Sequence, residues 1–438
     1  MKRIILIITG FLLLTQVVNA QKELSFNNLD LLLKYAENNS VFIKTGEQQS
    51  LLAKWQKISA QAGLVNFRMQ TNFNLTNNLE LPVSFLPAEA FGGTPGTFKE
   101  VTMGRQYVGN LNLSPQIDII NPASWAKLKS ANVNVELTNV NNLIAKKSLF
   151  ESVSATYHNI ISLQEQIEIT QKSLLAADTL VIIMQNKYSE GIVRQQDLND
   201  AHINQLTLSD NLEQLNLSLK QQYYSLKVLC DIPESTSINI DEQPDYDKQI
   251  IPGLHADNQL QYESSLLNVE MAKADLRTNR LMQFPTVSLV FYDSWQQNSN
   301  SKFFDSDVNW LNSQYVGLKV SVPFPDINRY TLTKSSRINQ VISSINAEHT
   351  KLENDLTNKQ LILDYEKAYS QLNTAKQIYQ LKEQNYGMVL NQFNMSILSS
   401  DKLIIAFNDL LASRLNYSSA LANLNYTLSK IEINNRVR

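Results

Sequence analysis

Val65-Asn66-Phe67-Arg68-Met69-Gln70-Thr71-Asn72-Phe73-Asn74-Leu75-Thr76-Asn77-Asn78-Leu79-Glu80-Leu81 is the stretch whose reading decides the fold. Its odd positions carry Val65, Phe67, Met69, Phe73, Leu75, Leu79 and Leu81, with Thr71 and Asn77 among them, and every even position is polar. Side chains alternate across a strand, so this period of two reads as a strand with one apolar and one polar face. A half-exposed antiparallel sheet in a soluble sandwich gives the same alternation. Length favours a bilayer, because a tilted membrane strand needs only ~9–11 residues.

Three more segments carry strand character, so the expected strands are about 65–81, 105–119, 285–297 and 314–324. In the last, Val316, Leu318, Val320 and Val322 oppose Tyr315, Gly317, Lys319 and Ser321. Four strands cannot close a membrane barrel, whose smallest examples have about eight. An open sheet edge is not tolerated in lipid. If these strands span a membrane, several chains must share one barrel.

Outside the strands the chain reads as helix. Five Gly and five Pro fall between Pro82 and Pro122, whereas 123–190, 192–232, 254–284, 326–386 and 388–438 contain neither. The first run would make a helix roughly 100 Å long. Helices of that length imply bundle or coiled-coil packing. Leu198, Ala201, Gln205, Leu208, Leu212, Leu215 and Leu219 step by three and four, as do Leu403, Ala406, Leu410, Ser413, Tyr417, Ala420, Leu424, Thr427 and Ile431. That spacing is a seam facing a partner helix.

Composition narrows the function. The 438 residues hold 38 Lys+Arg against 41 Asp+Glu, a balance of −3 that argues against nucleic acid as a partner. A hydrophobic share of 43% excludes a disordered chain. One cysteine, Cys230, rules out a disulfide framework, and the four histidines show no metal-site spacing. No catalytic constellation is present, so neither an enzyme nor a cofactor is expected. Lys2 and Arg3, the apolar run Ile4 to Val18 and the small-residue site Val18-Asn19-Ala20 read as a secretory signal peptide over 1–20.

The mature chain is an internal repeat. Val108-Gly109 precedes Pro115 at the spacing by which Val316-Gly317 precedes Pro323. Lys187-Tyr188-Ser189-Glu190-Gly191-Ile192-Val193 aligns with Gln392-Phe393-Asn394-Met395-Ser396-Ile397-Leu398. The expected repeats are 21–235 and 257–438, joined by a linker at 236–256. Each reads helix, strand, strand, long helix, turn, helix.

This duplicated order resembles the TolC family of outer-membrane efflux proteins. Local stretches agree with it: Leu24-Ser25-Phe26-Asn27-Asn28-Leu29 with the first-helix opening, and Met282-Gln283-Phe284-Pro285 with the helix-to-strand junction. Val320-Ser321-Val322-Pro323-Phe324-Pro325 resembles the strand-to-helix junction, and Tyr188 to Gly191-Ile192-Val193 with Asp197-Leu198 the periplasmic hairpin tip. The resemblance covers essentially all of the mature chain. It implies an α+β membrane protein in which three protomers give four transmembrane strands each to a twelve-stranded barrel. A long antiparallel α-helical coiled-coil tunnel would continue that barrel into the periplasm.

The resemblance also implies an outer-membrane exit duct for efflux or type I secretion. An inner-membrane pump would drive it through a periplasmic adaptor, with outer-membrane lipid around a homotrimer. Pro115 and Pro323 would mark strand-to-helix junctions, and the tips Gly191, Ile192, Ser396 and Ile397 would meet the adaptor. Gly191 reads equally as a plain helix C-cap glycine. Asp197 and Asp200 begin a helix, where carboxylates complement the dipole; the resemblance adds that Asp197 latches a closed entrance.

The gate departs from the family pattern. Its tyrosine falls on Phe393, its arginine on Leu398, and two entrance acids on Lys402 and Ile405, with Asp401 nearby. Closure could come from apolar packing of Phe393, Leu398 and Ile405, or from an ion pair of Lys402 with Asp197 or Asp200. A wet ion pair contributes about 0–1 kcal/mol and burying a Phe or Leu roughly 1.5–3, so apolar closure is favoured.

Other features have simpler readings. Gly92-Gly93-Thr94-Pro95-Gly96 lacks the Lys-Ser/Thr of a phosphate loop and reads as a flexible loop outside the barrel. Trp295 and Trp310 flank a strand hairpin as interfacial anchors, Trp55 and Trp125 are expected to pack between helices, and Cys230 is expected to be buried. A structural or adhesive trimeric coiled-coil protein is the alternative function, and it predicts one continuous helix per chain. A soluble exported enzyme is the third, without a supporting motif.

Overall fold

The computed structural model describes residues 23–242, 253–324, 326–395 and 397–438. The expected signal peptide, residues 243–252 of the expected linker, Pro325 and Ser396 lie outside the described residues. Elements follow in the order β1 (Glu23–Phe26), α1 (Leu29–Asn39), α2 (Val41–Ala62), β2 (Phe67–Asn77), β3 (Val83–Pro87), β4 (Phe98–Thr102), β5 (Tyr107–Ile120), α3 (Pro122–Ser189), α4 (Gln195–Cys230), β6 (Ser237–Ile240), α5 (Leu260–Leu281), β7 (Thr286–Ser299), β8 (Leu311–Ser321), α6 (Ile327–Asn394) and α7 (Ser400–Arg436). The duplication shows in the lengths. Helices α2 and α5 have 22 residues each, and α3 and α6 have 68 each.

The chain forms two compact units: one of Met1–Gln49, Asn139–Ser264 and Glu348–Arg438, the other of Ser50–Thr138 and Ser265–Ala347. The second holds an antiparallel sheet in the order β2-β5-β7-β8. Register puts Phe67 opposite Ile117, Phe73 opposite Leu111, Leu111 opposite Trp295, and Leu289 opposite Leu318. These residues share one face. The other carries Arg68, Asn72, Asn74, Asn110, Asn112, Ser294 and Lys319. Every β2 residue is exposed, and β2 and β8, 11 residues each, have a neighbour on one side only.

At the β5 end of the polar face, Asp118 is buried and accepts from Arg68 (3.0 Å), Gln116 (3.2 Å), Ser288 (2.8 Å), Asn121 (3.1 Å) and Asn66. One carboxylate thereby joins three strands. At the other end of the sheet, the β7–β8 loop folds over the apolar face. Phe304 stacks on Phe73 with centroids 6.0 Å apart, and Phe303 meets Tyr107 edge-on at 4.9 Å. A Cβ on Gly109 would come within 3.2 Å of the Trp310 ring, a tight contact that the absence of a side chain relieves.

The first unit is a helical assembly. Leu361, Tyr365, Ala368, Leu372 and Ala375 of α6 step by four and three, and they bury against Tyr417, Leu421, Leu424 and Ile431 of α7. The expected α7 seam is largely buried, at Leu403, Ala406, Ser413, Tyr417, Leu424 and Ile431. In α4, Leu198, Ala201 and Leu208 are buried and Leu212, Leu215 and Leu219 half-buried. The end of α7 is tied down by amides. Buried Asn258 donates to the carbonyls of Asn434 and Val437, both at 2.7 Å, and its own carbonyl accepts from Asn354 at 2.7 Å and Asn358 at 3.0 Å.

Several sequence expectations need correction. Helix α6 runs through Gly387 and ends at Asn394, because Tyr386, Val389 and Leu390 pack around it against a buried cluster. The glycine-rich stretch is a turn between paired strands β3 and β4, where Gly92 and Gly96 adopt φ of 73° and 81°. The first-helix opening begins with a strand: β1 pairs in parallel with β6, which lies inside the expected linker. Trp55 and Trp125 are 61% and 55% exposed, so among the described residues neither is buried between helices. Cys230 is buried as expected, and its thiol is pushed up to about 12 by burial.

Candidate functional site

Two helical hairpins, α3–α4 and α6–α7, carry the residues singled out at the tips and entrance. At the first turn Gly191 adopts φ +73°. Its N–H donates to the Tyr188 carbonyl at 3.0 Å, while the Ile192 N–H reaches back to the Lys187 carbonyl at 2.8 Å. This crossed pair is the Schellman closure of a helix end, which satisfies carbonyls left free by the last turn. At the second turn the Ile397 N–H donates to the Gln392 carbonyl at 2.9 Å, the matching bond in the repeat.

A Schellman turn commonly packs an apolar residue at the position of Ile192 against the one at the position of Lys187. Here those partners are Lys187 and Gln392, and Ile192 and Ile397 stay 62% and 67% exposed. Both hairpins therefore present an isoleucine outward at the apex.

The first hairpin is braced by an ion pair. Asp197, only 8% exposed, accepts from the Arg194 backbone N–H at 2.9 Å and from its guanidinium at 3.3 Å. This caps the start of α4, where a carboxylate also meets free N–H groups. The Arg194 side chain and backbone N–H hold the Asp197 carboxyl below its ordinary range, with a further bond from Ser400 of the other hairpin. Arg194 is in turn raised, chiefly by Asp197 and additionally by Asp401 and Asp200. At the start of α7, Ser399 donates to Asp401 and lowers its carboxyl.

Phe393 does not line an open mouth. It is 5% exposed, in a cluster with Met184, Leu198, Ala201, Leu403 and Ile404 contributed by both hairpins. The Lys187 ammonium sits 4.4 Å from its ring centroid, an attraction of a cation to the ring face. A neighbouring cavity of about 310 Å³ is lined by Leu180, Ile183, Tyr386, Leu390, Phe393 and Phe407.

Asp200, Asp401 and Ile405 come together on a groove of about 560 Å³ between α4 and α7. Leu398 is half-buried in the second turn, and Lys402 is exposed. The less favoured alternative, a Lys402 ion pair, finds Asp197 already paired with Arg194. Of the junction prolines, Pro115 lies inside β5 opposite Met69, and the β5–β7 ladder skips it, as a residue without an N–H requires. Pro323 lies between β8 and α6.

Sequence reasoning missed Arg194, Lys187 and Ser399. The three-residue spacing of Arg194 and Asp197 has the form of a capping box and could have signalled the first. Nothing local links Lys187 to Phe393, which are 206 positions apart in the chain. Among the described residues no His/Cys/Asp/Glu group could hold a metal ion, and no helix is long and apolar enough to cross a membrane.

A family model described as outer membrane efflux protein matches residues 94–230. Among curated proteins no sequence match was found. In fold the chain is similar to the outer membrane protein VceC of Vibrio cholerae, at 15% identity and a TM-score of 0.74, over 93% of this chain and 95% of that one. The CmeC outer membrane channel of Campylobacter jejuni matches at 14% identity and 0.74, over 93% and 85%. The MtrE outer membrane channel of Neisseria gonorrhoeae matches at 14% and 0.71, over 93% and 88%. The family resemblance drawn from the sequence is thus shown in sequence over 94–230 and in fold over nearly the whole chain.

Proposed function

Starting from this likeness to outer membrane efflux proteins, we propose that the chain is the outer-membrane exit duct of a tripartite efflux or type I secretion system. Three copies give four strands each to one barrel, and their helices continue it as a tunnel into the periplasm. An inner-membrane pump drives the passive duct through a periplasmic adaptor, which meets the hairpin tips around Gly191, Ile192, Ser396 and Ile397. The chain acts as a channel, not as an enzyme.

One observation carries the reading: an open antiparallel sheet with one polar face, one apolar face and two free edges of equal length. Such edges invite pairing with another chain. With four alternating strands, β2 and β8 run in opposite directions, so edge-to-edge joining of copies keeps the sheet antiparallel. A closed ring removes every edge, as lipid requires, and its polar face lines a wet lumen. The buried Phe393 supports closure of the entrance by apolar packing rather than by a Lys402 ion pair.

Native mass in a non-dissociating detergent, followed by conductance across a planar bilayer, tests the proposal. A conducting trimer is expected. A monomer sinks the shared barrel, and a trimer that does not conduct favours the adhesive alternative.

A further inference from the structure

Charge is scarce on the four-stranded sheet. On β2, β5, β7 and β8 only Arg68, Asp118, Asp293 and Lys319 are charged. Asp293 stands on the apolar face, where Asn312 donates to it at 2.6 Å and Gln314 at 3.3 Å. The other three share the polar face, at the end of the sheet from which α3 leaves.

Two of those three charges cancel. Arg68 and Asp118 pair at 3.0 Å, and Asp118 is further bonded by Asn66, Gln116, Asn121 and Ser288. Lys319 is left over. It lies opposite Ser288, with Asp118 one strand beyond, roughly 10 Å away at ordinary strand spacing. Its side chain is exposed, and among the described residues it makes no ion pair or hydrogen bond. Asp326, the next acid along the chain, is held by Arg329 at 2.9 Å.

Joining copies edge to edge does not neutralise it. Ser321 at the end of β8 pairs with Thr286, and Phe67 at the start of β2 pairs with Ile117, so both lie at the same end of the sheet. An antiparallel joint therefore brings Lys319 to the end of the next β2 that carries Arg68. The polar face of β2 supplies Arg68, Gln70, Asn72, Asn74 and Thr76, and no acid.

Resting on the barrel reading above, we propose that Lys319 is a specificity-determining residue of the duct, three copies forming a cationic ring in the lumen that favours anionic solutes. Each chain gives the lumen face Arg68 and Lys319 against Asp118, a net charge of +1, so a trimer carries +3 there. The rest of the face is amide, hydroxyl and apolar, without charge. Low-dielectric walls focus such a field into the water between them, and rings of Lys or Arg are what anion pores use. The solutes favoured carry carboxylate, phosphate or sulfonate groups. Composition alone points the other way, since the whole chain sums to −3.

Full-length wild type and variants are reconstituted in planar bilayers, and the reversal potential is read across a KCl gradient. Lys319→Gln should lower the chloride-to-potassium permeability ratio about two- to fivefold, the scale of three charges acting across a salt-screened lumen. Lys319→Glu should lower it further, and Lys319→Arg should keep the wild-type ratio. Asp293→Asn, on the other face, should leave it unchanged. Native mass should show trimers throughout, because each change is a polar one on an existing strand. Conducting trimers in which Lys319→Gln and Lys319→Glu keep the wild-type ratio, or in which Asp293→Asn moves it as far, overturn the ring and leave the duct standing. Failure of the wild type to form conducting trimers overturns both.

Discussion

The two hairpins end 68-residue helices and close with the same backbone bond, yet they are secured differently. The α3–α4 turn is held mainly by its own residues, Gly191 at positive φ and the Arg194–Asp197 pair, with one added bond from Ser400 of the other hairpin to Asp197. The α6–α7 turn has Phe393 as its anchor, and that ring is buried among Met184, Leu198 and Ala201 of the other hairpin, under Lys187. A hairpin secured locally can keep its shape when it moves. One secured by its neighbour changes when the two separate.

The largest expected effect breaks this asymmetry. Phe393→Ala should cost about 3–5 kcal/mol, the usual range for a buried Phe truncated to Ala, and should raise resting conductance. Denaturant unfolding and bilayer recording check it. A stable, tightly closed variant would show that the hairpins do not lean on each other through this ring.

Next comes Gly191→Ala. At φ +73° with nothing within 4 Å of an added Cβ, the change introduces backbone strain without a clash. It should cost about 1–2 kcal/mol, seen as a lowered denaturation midpoint. Effects confined to adaptor binding would instead make this glycine a contact rather than a cap.

Asp197→Ala should cost about 0.5–2 kcal/mol as a lost helix cap. Its pH dependence has a definite sign. The carboxyl is lowered on folding, so its contribution is complete above the ordinary Asp value of about 3.9. It is lost as pH falls through the lowered folded value. Wild-type and Asp197→Ala stabilities should therefore converge in acid; a constant gap down to the lowest pH would assign the cost to packing.

Smallest of all is Lys402→Ala. Its side chain is exposed in the first turn of α7, where a cation opposes the helix dipole, so its loss should stay within about ±0.5 kcal/mol, and conductance should hardly change. A larger leak here than in Phe393→Ala would return the entrance to electrostatic control.

Much of this architecture was legible in the chain itself. The alternation from Val65 to Leu81 and the three-four steps from Leu403 to Ile431 are periodicities of single segments, and local geometry alone turns them into a strand and a helix seam. Strand limits were less legible. β8 starts at Leu311 and ends at Ser321, because its last pairing is with Thr286 at the start of β7. Gly387 looked like a break, yet the helix passes through it, since packing of its neighbours outweighs a propensity cost of about 1 kcal/mol.

What sequence by itself determined was the set of elements, their duplication, and the impossibility of four amphipathic strands closing alone in lipid. Tertiary structure decided which charged or aromatic group each side chain would meet. Asp197 took Arg194 rather than Lys402, Lys187 found Phe393, Glu23–Phe26 paired with Ser237–Ile240, and Asp293 was set among Leu113, Trp295 and Gln314. Periodicity is written within one segment, whereas a partner is chosen by the register of two segments far apart in the chain, and no residue spacing within either one records it.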